Sequence, residues 1–145
     1  MKQYFTLLGI LLLFTTNTKA QITFEKSYGP TYFQEGTSVK QTPDGGYIIC
    51  GTNDLIKTTD SGIVQWTKPY PADVVKVTAD SNYIIMRNAG DIYFTKVDQI
   101  GDTIWSSTYG QGLWAREGND ITETNDGGYI VTGRFQDFSG SGMML

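Results

Sequence analysis

Two glutamates at matching positions, Glu35 and Glu117, are the first candidates for chemistry in this chain of 145 residues. Each is followed by glycine, and each precedes an apolar residue, Val39 or Ile121, by four positions. A pair of carboxylates can hydrolyse a glycosidic bond if their separation suits the reaction. Carboxylates can also face a ligand or accept backbone hydrogen bonds in a loop, and the loop role is the commonest. Because the sequence does not fix the separation, Glu35 and Glu117 are candidate binding residues.

A second group of candidates consists of large side chains outside the predicted strands. Tyr32, Phe33, Leu113 and Trp114 lie in the longer loops of the chain. Aromatic residues in loops can stack on sugars or on partner proteins, and they can equally cover the edge of a sheet. Trp114 is therefore the third candidate binding residue.

The composition excludes most catalytic and metal chemistry. The chain contains no histidine and one cysteine, Cys50, which excludes Ser-His-Asp triads, Cys-His nucleophiles and metals held by histidine or thiolate. Only oxygen-ligand sites remain, and calcium is the metal we consider for them. Asp98–Asp102 and Asn125–Gly128 faintly resemble calcium loops, but hairpin turns explain both. We expect no catalytic residue, metal site or cofactor, and we expect Cys50, in an apolar run, to be a small buried residue.

The first 20 residues predict export. Lys2 is followed by an apolar run of ten residues, Phe5–Phe14, and by a small and polar exit that ends at Ala20. This pattern is typical of a signal peptide that is cleaved after Ala20. Ten apolar residues are too few for a membrane span, which needs roughly 20. We therefore expect a secreted or cell-surface protein with no membrane span after cleavage.

The charge of the chain bears on its partners. Eleven basic and 15 acidic residues give a formal net charge of −4, and the basic residues form no cluster. Contacts to phosphate groups need clustered lysine and arginine. The sequence therefore excludes nucleic acid as a partner and leaves an unidentified protein or glycan ligand.

Three stretches of the chain repeat one another. Each has an aspartate that starts a turn, then a residue tolerant of positive φ, then a tyrosine and a β-rich run, which together are typical of a hairpin. A second hairpin in the unit contains an aromatic residue four positions before a tyrosine. The tolerant residue and its tyrosine are Gly46 and Tyr47, Asn82 and Tyr83, and Gly128 and Tyr129; the aromatic pairs are Phe24 and Tyr28, Trp66 and Tyr70, and Trp105 and Tyr109.

The repeat predicts an all-β fold made of β-propeller-type units. Four short strands in about 40 residues are typical of one propeller blade, whose aromatic residues become buried when neighbouring blades stack on it. In the first unit, four antiparallel strands are expected near Thr37–Thr42, Tyr47–Thr52, Leu55–Thr59 and Ile63–Lys68.

The expected domain organisation is a signal peptide over residues 1–20 and a partial propeller over 21–145, with units near 22–66, 66–105 and 105–145. These units amount to about two and a half to three blades, whereas propellers have about 4 to 8. The last strand of a unit is expected at Ile22–Lys26, and the chain stops where the third strand of the third unit should begin. Either the chain is an N-terminal fragment, which we favour, or short chains assemble into a ring.

The strings Gln41–Thr52, Gly101–Gly110 and Glu123–Gly133 resemble the units of a class of bacterial secreted repeat proteins, which read DGGYI..G and GDT.W...YG. The resemblance covers residues 22–145 and implies a β-propeller on an exported protein, of a kind that often carries a type IX secretion sorting domain. The second unit departs from the pattern, since Ser81-Asn82 replaces Gly-Gly and no glycine follows Met86. The resemblance is specific for the fold and hardly specific for function.

The main functional hypothesis is a non-catalytic, secreted or cell-surface repeat module with a binding or scaffolding role. One alternative is a fragment of a propeller-borne extracellular enzyme, either quinoprotein-like or carbohydrate-active. Another is a lectin-like carbohydrate-binding module. Clustered carboxylates or arginines on one mouth of the ring would favour an enzyme, and binding to glycans would favour a lectin.

Overall fold

All regular secondary structure in the described part of the chain is β-strand. The structure is a computed structural model, and it describes residues 24–29, 34–110, 115–137 and 140–144. These residues form eleven strands in three antiparallel sheets, two of which have four strands, so the expected all-β class is confirmed. Within the same ranges there is no helix long and apolar enough to cross a membrane. The predicted signal peptide over 1–20 lies outside them.

Sheet 1 consists of four strands that pair in chain order, each with the next. The strands expected for the first unit are therefore present, with bounds that coincide with the expected ones or differ from them by one residue. They are β1 (Gly36–Gln41), β2 (Tyr47–Gly51), β3 (Leu55–Thr58) and β4 (Val64–Lys68).

Sheets 2 and 3 repeat the same order. Sheet 2 has four strands and sheet 3 has three in the described residues, again antiparallel and paired in chain order. Sheet 2 consists of β5 (Val74–Val77), β6 (Tyr83–Ala89), β7 (Asp91–Val97) and β8 (Thr103–Tyr109). Sheet 3 consists of β9 (Ala115–Glu123), β10 (Tyr129–Asp137) and β11 (Gly140–Met144).

The turn that opens each unit has one geometry in all three copies. In the first, the Thr42 carbonyl accepts from the Gly45 amide at 2.9 Å, and the Asp44 carboxylate accepts from the Thr42 hydroxyl and the Gly46 amide. The residue with positive φ is Gly45 (+84°), not Gly46 as expected from the sequence. The reason is that a type I turn needs a left-handed residue at its end to rejoin the ladder. The corresponding residues in the other copies are Ser81 and Gly127.

The sheets pack face to face in chain order, with β1 beside β5 and β5 beside β9. Strand alternation directs the side chains of β6 to opposite faces of sheet 2. Tyr83 and Ile85 join a core cluster with sheet 1, whereas Ile84 and Met86 join a second cluster with Ile121 of sheet 3. Sheet 2 therefore buries both of its faces.

An aromatic contact recurs wherever one unit meets the next. Each contact joins the tyrosine that follows the opening turn to an aromatic residue of the preceding unit, so the repeated aromatic residues are explained by stacking between units. The ring centroids lie 5.9 Å apart for Phe24 and Tyr47, 6.3 Å for Trp66 and Tyr83, and 5.7 Å for Trp105 and Tyr129.

The strand expected at Ile22–Lys26 is not present in the described part, because residues 24–28 belong to no strand. The segment nevertheless contacts sheet 1 as the end of β4 contacts sheet 2. The Tyr28 hydroxyl donates to the Gly62 carbonyl at 3.0 Å. Its position is therefore fixed by side-chain contacts and not by a strand ladder.

Candidate functional site

The two Glu-Gly pairs prove to be backbone features of the segments that lead into sheets 1 and 3. The Glu35 carbonyl accepts from the Thr52 amide at 3.0 Å. A Cβ atom on Gly51 would stand 2.3 Å from that carbonyl oxygen, and one on Gly133 would stand 2.2 Å from the Glu117 carbonyl. A bulge in the ladder accompanies each approach. The matching positions of Glu35 and Glu117 thus reflect a shared backbone crossing.

The carboxylates of the two glutamates are not brought together. β1 and β9 lie on either side of β5, so Glu35 and Glu117 belong to sheets that are not neighbours. Glu117 forms an ion pair with Arg134 at 2.5 Å, and Glu35 is exposed. The arrangement provides no pair of carboxylates across a common substrate. The third candidate, Trp114, lies outside the described residues, as do Leu113, Tyr32 and Phe33.

The aspartates with a faint resemblance to calcium loops serve as turn acceptors. The Asp98 carboxylate accepts from the backbone amides of Ile100 at 3.0 Å and Asp102 at 2.8 Å. The Asp126 carboxylate accepts from the Thr124 hydroxyl and the Gly128 amide. No group of three acidic or cysteine side chains that could hold a metal is found in the described ranges.

A groove in sheet 2 is the best candidate for a functional site, and we call it the Arg87 groove. Its volume of about 520 Å³ lies within the range of roughly 300–1,000 Å³ that is usual for small-ligand sites. One face of the paired strands β6 and β7 forms the floor, where Arg87 lies directly opposite Tyr93. The linker from sheet 1 forms a wall. The lining residues are Pro69–Pro71, Ile85, Arg87, Ala89, Tyr93 and Thr95.

Sheet 1 has a groove at the equivalent place, but it is smaller and partly filled. Its volume is about 160 Å³, and Tyr28 lines it where Tyr70 lines the Arg87 groove. The Gln34 side chain donates to the Asp54 carboxylate at 2.8 Å across this space. Gly51 stands at the position that Arg87 has in sheet 2. The two grooves therefore differ in the segments that lead into β1 and β5, and in having Gly51 or Arg87 at the equivalent position.

The length of the leading segment explains the difference. Val39 follows Tyr28 by eleven positions, whereas Val75 follows Tyr70 by only five. The short linker is held tightly, because the Ala72 amide donates to the Gly51 carbonyl at 3.0 Å and the Asp73 amide to the Met86 carbonyl at 2.8 Å. It forms no bulge against β6. The position after Met86 holds a side chain as large as arginine, where the other two units have glycine.

The electrostatics of the groove centre on Arg87. Its side chain is exposed, and it makes no hydrogen bond or ion pair with another described residue. Tyr70 is fixed beside it by a 3.1 Å hydrogen bond between its hydroxyl and that of Thr103. An arginine between two tyrosines, with no described residue bonded to its guanidinium, can bind an anionic or hydroxyl-rich ligand.

Sequence reasoning missed this site. The missing glycine after Met86 and the short segment before Val75 are both visible in the sequence, where the missing glycine indicates only a departure of the second unit from the repeat. The signal that could have found the groove is their combination. The shortened segment before Val75 removes the steric requirement for glycine after Met86. The residue that stands there instead, Arg87, is charged.

A further cavity of about 410 Å³ lies between sheets 2 and 3. Its lining is mostly apolar and aromatic, and it includes Phe94, Trp105, Tyr129 and Val131. These residues also pack against the second core cluster. The cavity is therefore an extension of the inter-sheet packing and a weaker candidate for a functional site than the Arg87 groove.

Comparisons with known proteins show a fold shared with one solved structure and give no function. No protein-family model matches the chain, and no curated protein matches it either. The chain is similar to the crystal structure of a protein of unknown function from Bacteroides caccae, with a TM-score of 0.59 and 17% sequence identity. The match covers 81% of this chain and 47% of that one, so this chain spans about half the length of that structure.

Proposed function

We propose that the chain is a propeller-type repeat module, secreted or displayed at the cell surface, that binds a ligand through the Arg87 groove. The observation that carries this proposal is the groove itself. It occurs where the second unit departs from the repeat, and its departure exposes an arginine between two tyrosines. A repeat that serves packing alone has no need of an exposed arginine that pairs with none of the described residues at this place.

The propeller part of the proposal is supported by the recurrence of one unit. Sheets 1 and 2 have the same strand order, and sheet 3 has the same order over its three described strands. The contacts of Trp66 with Tyr83 and of Trp105 with Tyr129 show that consecutive sheets meet in one manner. Equivalent contacts between consecutive sheets are what a radial array of blades requires.

Export is supported by the sequence of residues 1–20, with Lys2, the apolar run and the exit at Ala20. A binding or scaffolding role agrees with the absence of histidine and with the separation of Glu35 from Glu117 by β5. The groove also favours binding, because it combines a fixed aromatic wall with an available charged donor.

Arrays of glycans and peptides test the proposed function. The full chain is compared with a double variant, Arg87→Ala with Tyr93→Ala, and with Arg134→Ala as a matched control outside the groove. We expect the wild type and the control to bind the same ligands and the double variant to lose them, while circular dichroism shows all three folded. The proposal is wrong if the wild type binds nothing on either array, or if the double variant binds as the wild type does.

A further inference from the structure

We infer that the Arg87 groove binds an acidic sugar, with Arg87 pairing with the sugar carboxylate and Tyr70 and Tyr93 contacting the ring. This inference rests on the proposed function, and it adds the chemical class of the ligand. It follows from the charge of the groove, from the shape of its walls and from the strands that form its floor.

The charge of the groove favours one carboxylate. Arg87 is the one lining residue with a charge, and its planar guanidinium can donate two parallel hydrogen bonds to a carboxylate. The carboxyl group of Asp73 lies close by, where it accepts from the Asn88 amide at 2.6 Å. A dianionic phosphate would meet one cation beside an aspartate, whereas a single carboxylate matches the one available charge.

The walls favour a ring. Tyr70 lies between two prolines, Pro69 and Pro71, so that this wall is rigid. Its hydroxyl is held by Thr103, and Tyr93 faces the groove from the floor as an exposed side chain. Tyrosine rings present a flat apolar surface with a polar tip, which suits the C–H faces and the hydroxyl groups of a sugar.

The floor disfavours an extended peptide. β6 and β7 are the two inner strands of sheet 2, and each is paired on both sides. A peptide that binds by adding a strand needs an unpaired strand edge, which the floor does not offer. The ligand must therefore be recognised by side chains, and the polar residues Arg87, Tyr93 and Thr95 are among those that line the groove. The Thr95 hydroxyl is hydrogen-bonded to that of Ser106 at 3.1 Å.

The test is titration calorimetry of the full chain with oligosaccharides of uronic and nonulosonic acids and with their carboxyl-reduced, neutral counterparts. We expect saturable binding of at least one acidic oligosaccharide and a loss of about tenfold or more for its neutral counterpart. Arg87→Gln should lose a similar factor, and Arg87→Lys should retain only part of the affinity because it keeps the charge without the planar fork. Arg134→Gln, which changes an arginine outside the groove, should bind as the wild type.

The possible failures are distinguishable. Equal binding of acidic and neutral sugars, or unchanged binding by Arg87→Gln, overturns the assignment of the carboxylate to Arg87. Failure to bind any acidic sugar, with groove-dependent binding still seen on the glycan or peptide arrays, overturns the ligand class and leaves the proposed function standing. Absence of binding in both experiments overturns both.

Discussion

The carbonyl oxygen of Glu35 lies 2.3 Å from the point that a Cβ atom on Gly51 would occupy. The same approach recurs between Glu117 and Gly133 at 2.2 Å. Real Cβ atoms are not found so close to a backbone oxygen, so both positions require glycine. The second unit does not have this requirement, because its shorter leading segment forms no bulge against β6. Arg87 stands there at the position equivalent to Gly51 and Gly133.

Replacement of Gly51 by alanine should therefore destabilise the protein. The new methyl group would force the backbone of Glu35 or Gly51 to move, and overpacking of this kind costs about 1–3 kcal/mol. Urea denaturation of the full chain measures the change in the free energy of unfolding. Gly36→Ala is the matched control, since nothing lies within 4 Å of a Cβ at Gly36. An equal effect of the two substitutions would contradict the steric explanation.

The strands of the fold could be predicted from the sequence, and the groove could not. Local turn chemistry around Asp44 and alternation along β2 are properties of neighbouring residues, so they are readable from one sequence. The position of positive φ was missed by one residue because it depends on the hydrogen bond from Gly45 to Thr42. The groove depends on how far the segment before β5 reaches across sheet 2, which only the assembled sheets reveal.

Acid should weaken the folded state partly through Asp44. The Lys57 ammonium at 2.8 Å and the Thr42 hydroxyl hold the pKa of the Asp44 carboxyl at about 2, below its usual 3.8. The unfolded chain then binds more protons than the folded chain between about pH 4 and pH 2, so this contribution is present above pH 4 and is lost as the pH falls toward 2. The pKa of Asp80 is lowered in the same way by Lys96.

The measurement is the urea midpoint between pH 7 and pH 2.5. We expect the midpoint of Asp44→Asn to fall less with acid than that of the wild type. Asp60→Asn serves as the control, because Asp60 is exposed and forms no ion pair in the described part of the chain. If Asp44→Asn and the wild type gave parallel curves, Asp44 would not contribute to the pH dependence.

Trp66 should stabilise the junction between sheets 1 and 2 through its ring more than through its indole nitrogen. The ring contacts Tyr83, and the indole N–H donates to the Gln99 carbonyl at 3.0 Å. Trp66→Ala should cost about 2–3 kcal/mol, less than the 3–5 kcal/mol of a fully buried aromatic residue, because Trp66 is half-buried. Trp66→Phe should cost only about 1 kcal/mol for the lost hydrogen bond.

Phe24 supports this ranking, because phenylalanine fills the equivalent position against Tyr47. Urea denaturation of both Trp66 variants gives the comparison, with the denaturant dependence used to check that the transition stays cooperative. Similar losses for Trp66→Phe and Trp66→Ala would mean that the hydrogen bond to Gln99, and not the ring contact, stabilises the junction.

Cys50 should be unreactive in the folded protein. Its side chain is 1% exposed within the core between sheets 1 and 2, and burial raises the pKa of its thiol above the usual 9.0. Because the thiolate is the reactive form, both burial and the raised pKa oppose alkylation. Iodoacetamide should modify native Cys50 at least about a hundredfold more slowly than the unfolded chain, since the sheets must open locally first.

The rate of alkylation at pH 8, followed by mass spectrometry, tests this prediction, with the same chain in concentrated guanidinium chloride as the reference. Arg87→Gln is a useful second control, because it changes the exposed groove and leaves the packing around Cys50 intact. It should react as slowly as the wild type. Rapid alkylation of the native wild type would mean that sheets 1 and 2 separate readily. The Arg87 groove depends on a rigid wall around Tyr70, and such separation would contradict that rigidity.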